Sequence, residues 1–276
     1  MGSIFSYDLN NNLLPPKGDY SGKAEIPSKI SSCQTLKVPY NSYIFESSTV
    51  PVVMTHGLGS LNPKLRSHLN DPWLSDVIVE GAVKAKKSYI SYTSRGHGES
   101  EGWQVDAEKN LEQFEWRKLS NDMFHMAKYC GANNFIAAGS SMGSATALYT
   151  AIQYPDNVKA IILIRPPTSW EERKNRRIQL ISNAEKCKLA SPDDLGHFVL
   201  LGTSYSDLPP KKSTNIYSNI KCPVLILAVK GDDAHPLSTA YELSKLLKQS
   251  VLHIADTAEY AKSRWPAVIS NFLSEI

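Results

Sequence analysis

Gly139-Ser140-Ser141-Met142-Gly143 constrains this chain more than any other segment, because of what flanks it. Asn133-Asn134-Phe135-Ile136-Ala137-Ala138 before it reads as a short buried strand. Ser144-Ala145-Thr146-Ala147-Leu148-Tyr149-Thr150-Ala151-Ile152 after it reads as a helix of small residues. A strand that turns sharply into a helix holds its central side chain, Ser141, in a strained and exposed position above a sheet. The glycines fit such a turn because Cβ atoms there would collide with the neighbouring chain. The helix start behind the turn points backbone N–H groups at any negative charge that develops there. A small-residue turn without chemistry shares the pattern, and the strand and helix at its sides favour the strained turn.

From Val50 onward apolar strands alternate with helical patterns, which predicts right-handed βαβ units and a mostly parallel sheet. Val50–Thr55, Tyr89–Thr93, Val158–Ile164 and Pro223–Val229 read as strands. Helices are expected over Trp73–Lys86, Leu111–Cys130 with Gly131 as cap, and Ser144–Tyr154 stopped by Pro155. Residues 1–32 read as a loop-like extension, broken by Asn10-Asn11-Asn12 and Pro15-Pro16. Thr35–Tyr40 and Ser42–Phe45 read as antiparallel strands. Residues 169–221 are charged, helical in pattern at Trp170–Leu189, and broken by Ser191-Pro192 and Leu208-Pro209-Pro210. A structureless connection of that length is uncommon.

Three motifs now stand in order: His56-Gly57-Leu58-Gly59 after one strand, Arg95-Gly96-His97-Gly98-Glu99-Ser100 after the next, then the Ser141 turn. Together they resemble the α/β-hydrolase superfamily from about Val50 to the C-terminus. The G-x-S-M-G-x-A-T-A-L run over residues 139–148 and Arg165-Pro166-Pro167-Thr168-Ser169-Trp170-Glu171-Glu172-Arg173 are similar to hydrolases described as 3-oxoadipate enol-lactonase-like. The resemblance implies an α/β-hydrolase fold: a mostly parallel sheet flanked by helices, its core in 33–168 and 222–276. Residues 169–221 would then be a small helical cap over the site.

The resemblance also implies a nucleophile, acid and base in the chain order Ser, Asp, His. Ser141 is the nucleophile. The acid is Asp232 or Asp233, in the loop Gly231-Asp232-Asp233-Ala234-His235-Pro236, and the D-x-x-x-P spacing of relatives points to Asp232. The late histidine of relatives falls about seven residues before a proline that opens the final helix. Counting back from Pro266 lands on Glu259, so that histidine is absent. Of the seven histidines, His56 and His97 belong to structural turns, while His68, His125 and His197 read as surface or helix-face residues. His253 reads as a buried or half-buried strand residue. His235, three residues past Asp232, remains as the base, and relatives with the R-P-P-T-x-W pattern pair D-x-x-H-P with a missing late histidine. The backbone N–H groups of Leu58 and Met142 would form the oxyanion hole.

Arg165, at the end of a strand, would suit a substrate carboxylate, and an ion pair with a glutamate such as Glu171 is the alternative use of its charge. The enol-lactonase-like resemblance points to a small carboxylated ester or lactone. Trp103 and Trp170 either line the site or pack the cap.

A net charge of +3 over 276 residues leaves no basic face for nucleic acid. The basic stretch Arg173–Arg177 reads as a solvated helix face. Cys33, Cys130, Cys187 and Cys222 form neither a disulfide framework nor a metal-binding spacing, so no metal or cofactor is expected. With no apolar run of membrane-spanning length, a cytosolic chain is the expectation. Met1-Gly2-Ser3-Ile4-Phe5-Ser6 fits an N-myristoylation pattern at Gly2, but no second membrane signal accompanies it. Two function classes follow: a cofactor-independent serine hydrolase, favoured by Ser141, and a ligand-binding or non-hydrolytic protein on the same scaffold, favoured by the glutamate at 259.

Overall fold

The computed structural model describes residues 6–7, 13–14, 18–30, 33–45, 50–58, 76–97, 100, 111–190, 196–212 and 214–276. Gly2, Gly59, His68, Trp73, Gly98, Glu99 and Trp103, on which expectations were placed, lie outside them, as do the side chains of Cys33, Cys187 and His197.

Short strands β1 (Ser6–Tyr7) and β2 (Leu13–Leu14) pair with each other. An eight-stranded sheet carries the rest: β3 (Gly18–Ile30), β4 (Cys33–Ile44), β5 (Val52–Thr55), β6 (Tyr89–Tyr92), β7 (Phe135–Ser140), β8 (Val158–Ile164), β9 (Val224–Val229) and β10 (Ser250–Ala255). Their order is β10-β9-β8-β7-β5-β6-β4-β3. β4 runs antiparallel to β3 and β6, and the other pairs are parallel.

The helices are α1 (Asp76–Lys84), α2 (Trp116–Tyr129), α3 (Met142–Gln153), α4 (Trp170–Ala190), α5 (Gly196–Tyr205), α6 (Thr214–Ser218), α7 (Leu237–Leu246) and α8 (Ala258–Ser274). Alternation along the central strands splits the core between the two faces of the sheet. Val52, Met54, Ile136 and Ala138 pack with Val77 of α1 and Trp265 and Ile269 of α8. Val53, Phe135 and Ala137 pack with Leu119 and Met123 of α2 and Leu148 of α3 on the other side.

Three expectations need correction. Residues 1–32 are not wholly loop: Gly18–Ile30 is a strand whose Ala24 and Ile26 are buried while Lys23 and Glu25 are exposed. That period-two alternation was legible, and Pro27 is tolerated because β3 is an edge strand. Thr35–Tyr40 and Ser42–Ile44 belong to the one continuous strand β4 rather than to two, with Phe45 just past its end, and β4 pairs with β3. The final helix does not open at Pro266, which lies inside α8. The helix starts earlier, capped by Thr257, whose side chain accepts the Tyr260 N–H at 3.1 Å.

The turn from β7 to α3 sits against the end of β5. A Cβ on Gly143 would overlap the Thr55 carbonyl oxygen, and one on Gly139 would overlap the Gly143 backbone. Both neighbours are backbone in the sheet or the helix start and have little room to yield. Gly143→Ala is therefore expected to destabilise the fold by at least about 2 kcal/mol, read as a lower urea midpoint in equilibrium unfolding.

Candidate active site

Ser141 stands between β7 and α3 with φ 52° and ψ −112°, a left-handed backbone that a serine adopts only under constraint. Its N–H donates to the Ile164 carbonyl at 2.8 Å, and its own carbonyl accepts from the Ser144 hydroxyl at 2.7 Å. The strain expected of the turn is present, but the exposure is not: Ser141 is 7% exposed. α4 and the segment Pro167–Thr168 cover it, and a cavity of about 350 Å³ remains above it.

His235 brings Nε2 to 2.7 Å from the Ser141 hydroxyl oxygen, and its Nδ1 lies 2.8 Å from Asp232 Oδ2. A carboxylate only accepts, so Nδ1 carries the proton and Nε2 is left to accept from Ser141. Asp232, not Asp233, is thus the carboxylate on the ring. The histidine is 4% exposed. Burial pulls the Asp232 carboxyl upward, but its hydrogen bond and charge interaction with His235, then Arg165, outweigh that and hold it at about 2.

Leu58 and Met142 both line the cavity beside Ser141 and His235. Met142 opens α3, where backbone N–H groups lack helical acceptors. His56 braces the other loop: its Nε2 accepts the Ser94 N–H at 3.1 Å, and its ring meets His97 edge-on at 4.8 Å.

Arg165 goes elsewhere than expected. Its Nε donates to Asp232 Oδ2 at 2.6 Å and its Nη2 pairs with the same oxygen, so the cation is engaged with the acid rather than presented to a substrate carboxylate or to Glu171. Its φ is 49°, and its N–H donates to the Leu227 carbonyl of β9 at 2.7 Å.

Sequence reasoning missed what the rest of that segment does. Thr168 donates through its N–H at 3.2 Å and its hydroxyl at 3.0 Å to the Ala234 carbonyl. Arg176 on α4 bonds the Asp233 carbonyl and, at 3.0 Å, Glu172. The Arg165–Thr168 segment and α4 therefore hold the whole loop that carries Asp232 and His235. Its signal was the R-P-P-T-x-W-E-x-R run itself, which carried a resemblance but no assigned contacts.

Arg173 also departs from the solvated face. It is 6% exposed, bonds the carbonyls of Thr168, Thr203 and Ser206, and lies over Trp116 at 4.4 Å. Trp170 packs within the insertion, its Nε1 donating to the Pro209 carbonyl. A larger cleft of about 810 Å³ beside Trp170 and Tyr149 shares none of Ser141, Asp232 or His235.

Glu259 is exposed in the first turn of α8. The loop that would hold a late histidine has been wound into that helix. His253 is exposed on β10, contrary to the burial expected of it, because β10 is the sheet's edge. Burial pushes the thiols of Cys130 and Cys222 up to about 12 and about 11, as small buried thiols do. Among the described residues no helix is long and apolar enough to cross a membrane, and no group of His, Cys, Asp and Glu is placed to hold a metal ion.

Because the folded Asp232 carboxyl titrates below its unfolded value, its stabilising contribution is complete above about pH 4 and is lost as pH falls toward about 2. Asp232→Asn is expected to unfold at lower urea than wild type at pH 6 and to show a flatter decline between those limits, measured by urea titrations across the acid range.

Residues 50–185 match the family model for the alpha/beta hydrolase fold. No match among curated protein sequences reaches significance. Solved structures with similar folds include an esterase from Exiguobacterium antarcticum (TM-score 0.67, 16% identity, 91% of this chain and 99% of that one). A thermophilic esterase from Thermogutta terrifontis with malate bound gives TM-score 0.64 at 16% identity, over 92% of this chain and 97% of the other. Homoserine O-acetyltransferase from Staphylococcus aureus gives 0.68 at 11%, over 93% and 95%. The eight-stranded, mostly parallel sheet with flanking helices agrees with these likenesses: the chain has the α/β-hydrolase fold.

Proposed function

We propose that the protein is a cofactor-independent serine hydrolase of a small carboxylic ester or lactone. The observation that carries this reading is the continuous chain of bonds from Ser141 through His235 to Asp232, at 2.7 and 2.8 Å. Ser141 Oγ attacks the carbonyl carbon while His235 Nε2 takes its proton, and Asp232 stabilises the imidazolium that forms. The tetrahedral oxyanion is met by the Leu58 and Met142 N–H groups. Collapse expels the alcohol, or opens the lactone, with the proton returned by His235. Water activated by the same ring then releases the acid and restores Ser141.

The ligand-binding alternative rested on the missing late histidine, and the His235–Ser141 contact supports the hydrolase reading over it. A cavity near 350 Å³ suits a small substrate. The enol-lactonase-like preference for a carboxylated substrate now rests on Arg176. This side chain lines the cavity and has more donors than its bonds to Glu172 and Asp233 use.

Fluorophosphonate labelling should disappear in Ser141→Ala and survive in Ser140→Ala. His235→Ala should lower kcat by about three orders of magnitude or more, and Glu259→Gln should change it little. Labelling that persists in Ser141→Ala would sink the mechanism. Arg176→Gln should cut the ratio of kcat/KM for acidic over neutral esters roughly tenfold, and an unchanged ratio removes Arg176 from substrate choice.

A further inference from the structure

We infer that Arg165 is a positioning residue that sets both the orientation of Asp232 and, through it, the basicity of His235. The inference rests on the reading above for the role of His235 as base.

In this loop the base lies three residues after the acid, and the His235 N–H closes the turn by donating to the Asp232 carbonyl at 3.1 Å. Acid and base therefore belong to one small unit, and their mutual bond cannot fix the unit against the sheet. Arg165, just past β8, is the contact that fixes the carboxylate itself, beside the Thr168 and Arg176 bonds to the loop backbone. Its guanidinium reaches the carboxylate oxygen that also accepts from His235, so one oxygen serves the positioning cation and the imidazole together. Asp232 and Arg165 side chains are 10% and 11% exposed, so water screens the pair weakly.

The charge has a second effect. A carboxylate behind an imidazole favours the imidazolium, and a cation on the same carboxylate oxygen offsets part of that field. Arg165 therefore keeps His235 neutral, and competent as a base, to lower pH than an unpaired Asp232 would allow. Among the described residues, the other charged groups that line the cavity with the ring are Asp233 in its own loop and Arg173 and Arg176 on α4, with Glu172 paired to Arg176. Arg173 is committed to backbone carbonyls around Trp116, and Arg176 to the Asp233 carbonyl and Glu172. None of these contacts meets the Asp232 carboxylate.

The test is the titration of the His235 Cε1–H resonance by NMR in the full chain, assigned with His235→Gln, in wild type, Arg165→Gln and Arg165→Lys. Arg165→Gln keeps a donor and removes the charge, so the His235 midpoint should rise by about one pH unit, a tenfold change in proton affinity. Arg165→Lys keeps the charge but loses the fork. Its midpoint should stay near wild type while kcat falls about tenfold or more, with KM nearly unchanged. A midpoint unmoved in Arg165→Gln overturns the inference. Should that variant not fold, wild-type kcat in Arg165→Lys overturns it instead. The midpoint needs no turnover. A chain that hydrolyses no ester yet shows the shift keeps the Arg165 coupling and defeats the hydrolase reading, whereas hydrolysis with an unmoved midpoint does the reverse.

Discussion

One carboxylate oxygen, Asp232 Oδ2, joins the two halves of this site: His235 Nδ1 approaches it at 2.8 Å from within its own loop, and Arg165 Nε at 2.6 Å from the neighbouring strand. Everything upstream in the fold serves to bring those partners together. The Ser141 N–H extends the sheet ladder from the end of β7 to Ile164 on β8. The Arg165 N–H extends it from β8 to Leu227 on β9, and the Lys230 N–H from β9 to Ala255 on β10. Four strand ends are thus aligned side by side at the same edge, so the residues that leave them begin as neighbours. Two of those residues, Ser141 and Arg165, have positive φ, which takes them out of the strand conformation and its alternation of side chains between the sheet faces.

Such backbone strain costs of the order of 1–3 kcal/mol per residue and persists only where its surroundings over-determine it. At Ser141 the surroundings are specific: Gly139 and Gly143 let the turn close onto Thr55, and the Ser144 hydroxyl holds the Ser141 carbonyl. At Arg165 they are the ladder bond to Leu227 and the ion pair to Asp232. The same ion pair that orients the acid thus helps to offset the strain of the residue that supplies it.

The parts of this arrangement written in local pattern were legible in the sequence. The strand–turn–helix around Ser141, the apolar runs of β5 to β9 and the acid loop after β9 each declare themselves through short-range composition. β3 was missed although Ala24 and Ile26 alternate with Lys23 and Glu25, because Pro27 and the prolines before it weigh as breakers unless the strand is known to lie at an edge. The partner of Arg165 was not legible, because its choice among Glu171, a substrate and Asp232 depends on which strand lies next to β8. Sequence order does not state that adjacency: β9 comes after an insertion of three helices. Likewise the basic run at Arg173 gave no sign that one member turns inward onto Trp116, a contact between segments far apart in the chain.

The histidine that relatives carry near the C-terminus is missing here for a reason that is structural as well as chemical. A catalytic loop after β10 needs irregular backbone between strand and helix, and in this chain Thr257 caps a helix directly after β10, leaving Asp256 to pair with Lys230 at the surface. The histidine that does meet Ser141 lies instead in the loop after β9, beside Asp232. On the proposed reading, acid and base then share a single turn, and no separately anchored histidine is used. Contacts from Arg165, Thr168 and Arg176 to Asp232, Ala234 and Asp233 restore that anchorage residue by residue along the loop. The segment 165–176, with the R-P-P-T-x-W-E-x-R run in it, and the D-x-x-H-P loop are therefore joined by three successive contacts. A chain with that loop but without the run would lose the Arg165 and Thr168 contacts and keep the loop tied through the His235–Ser141 bond and Arg176.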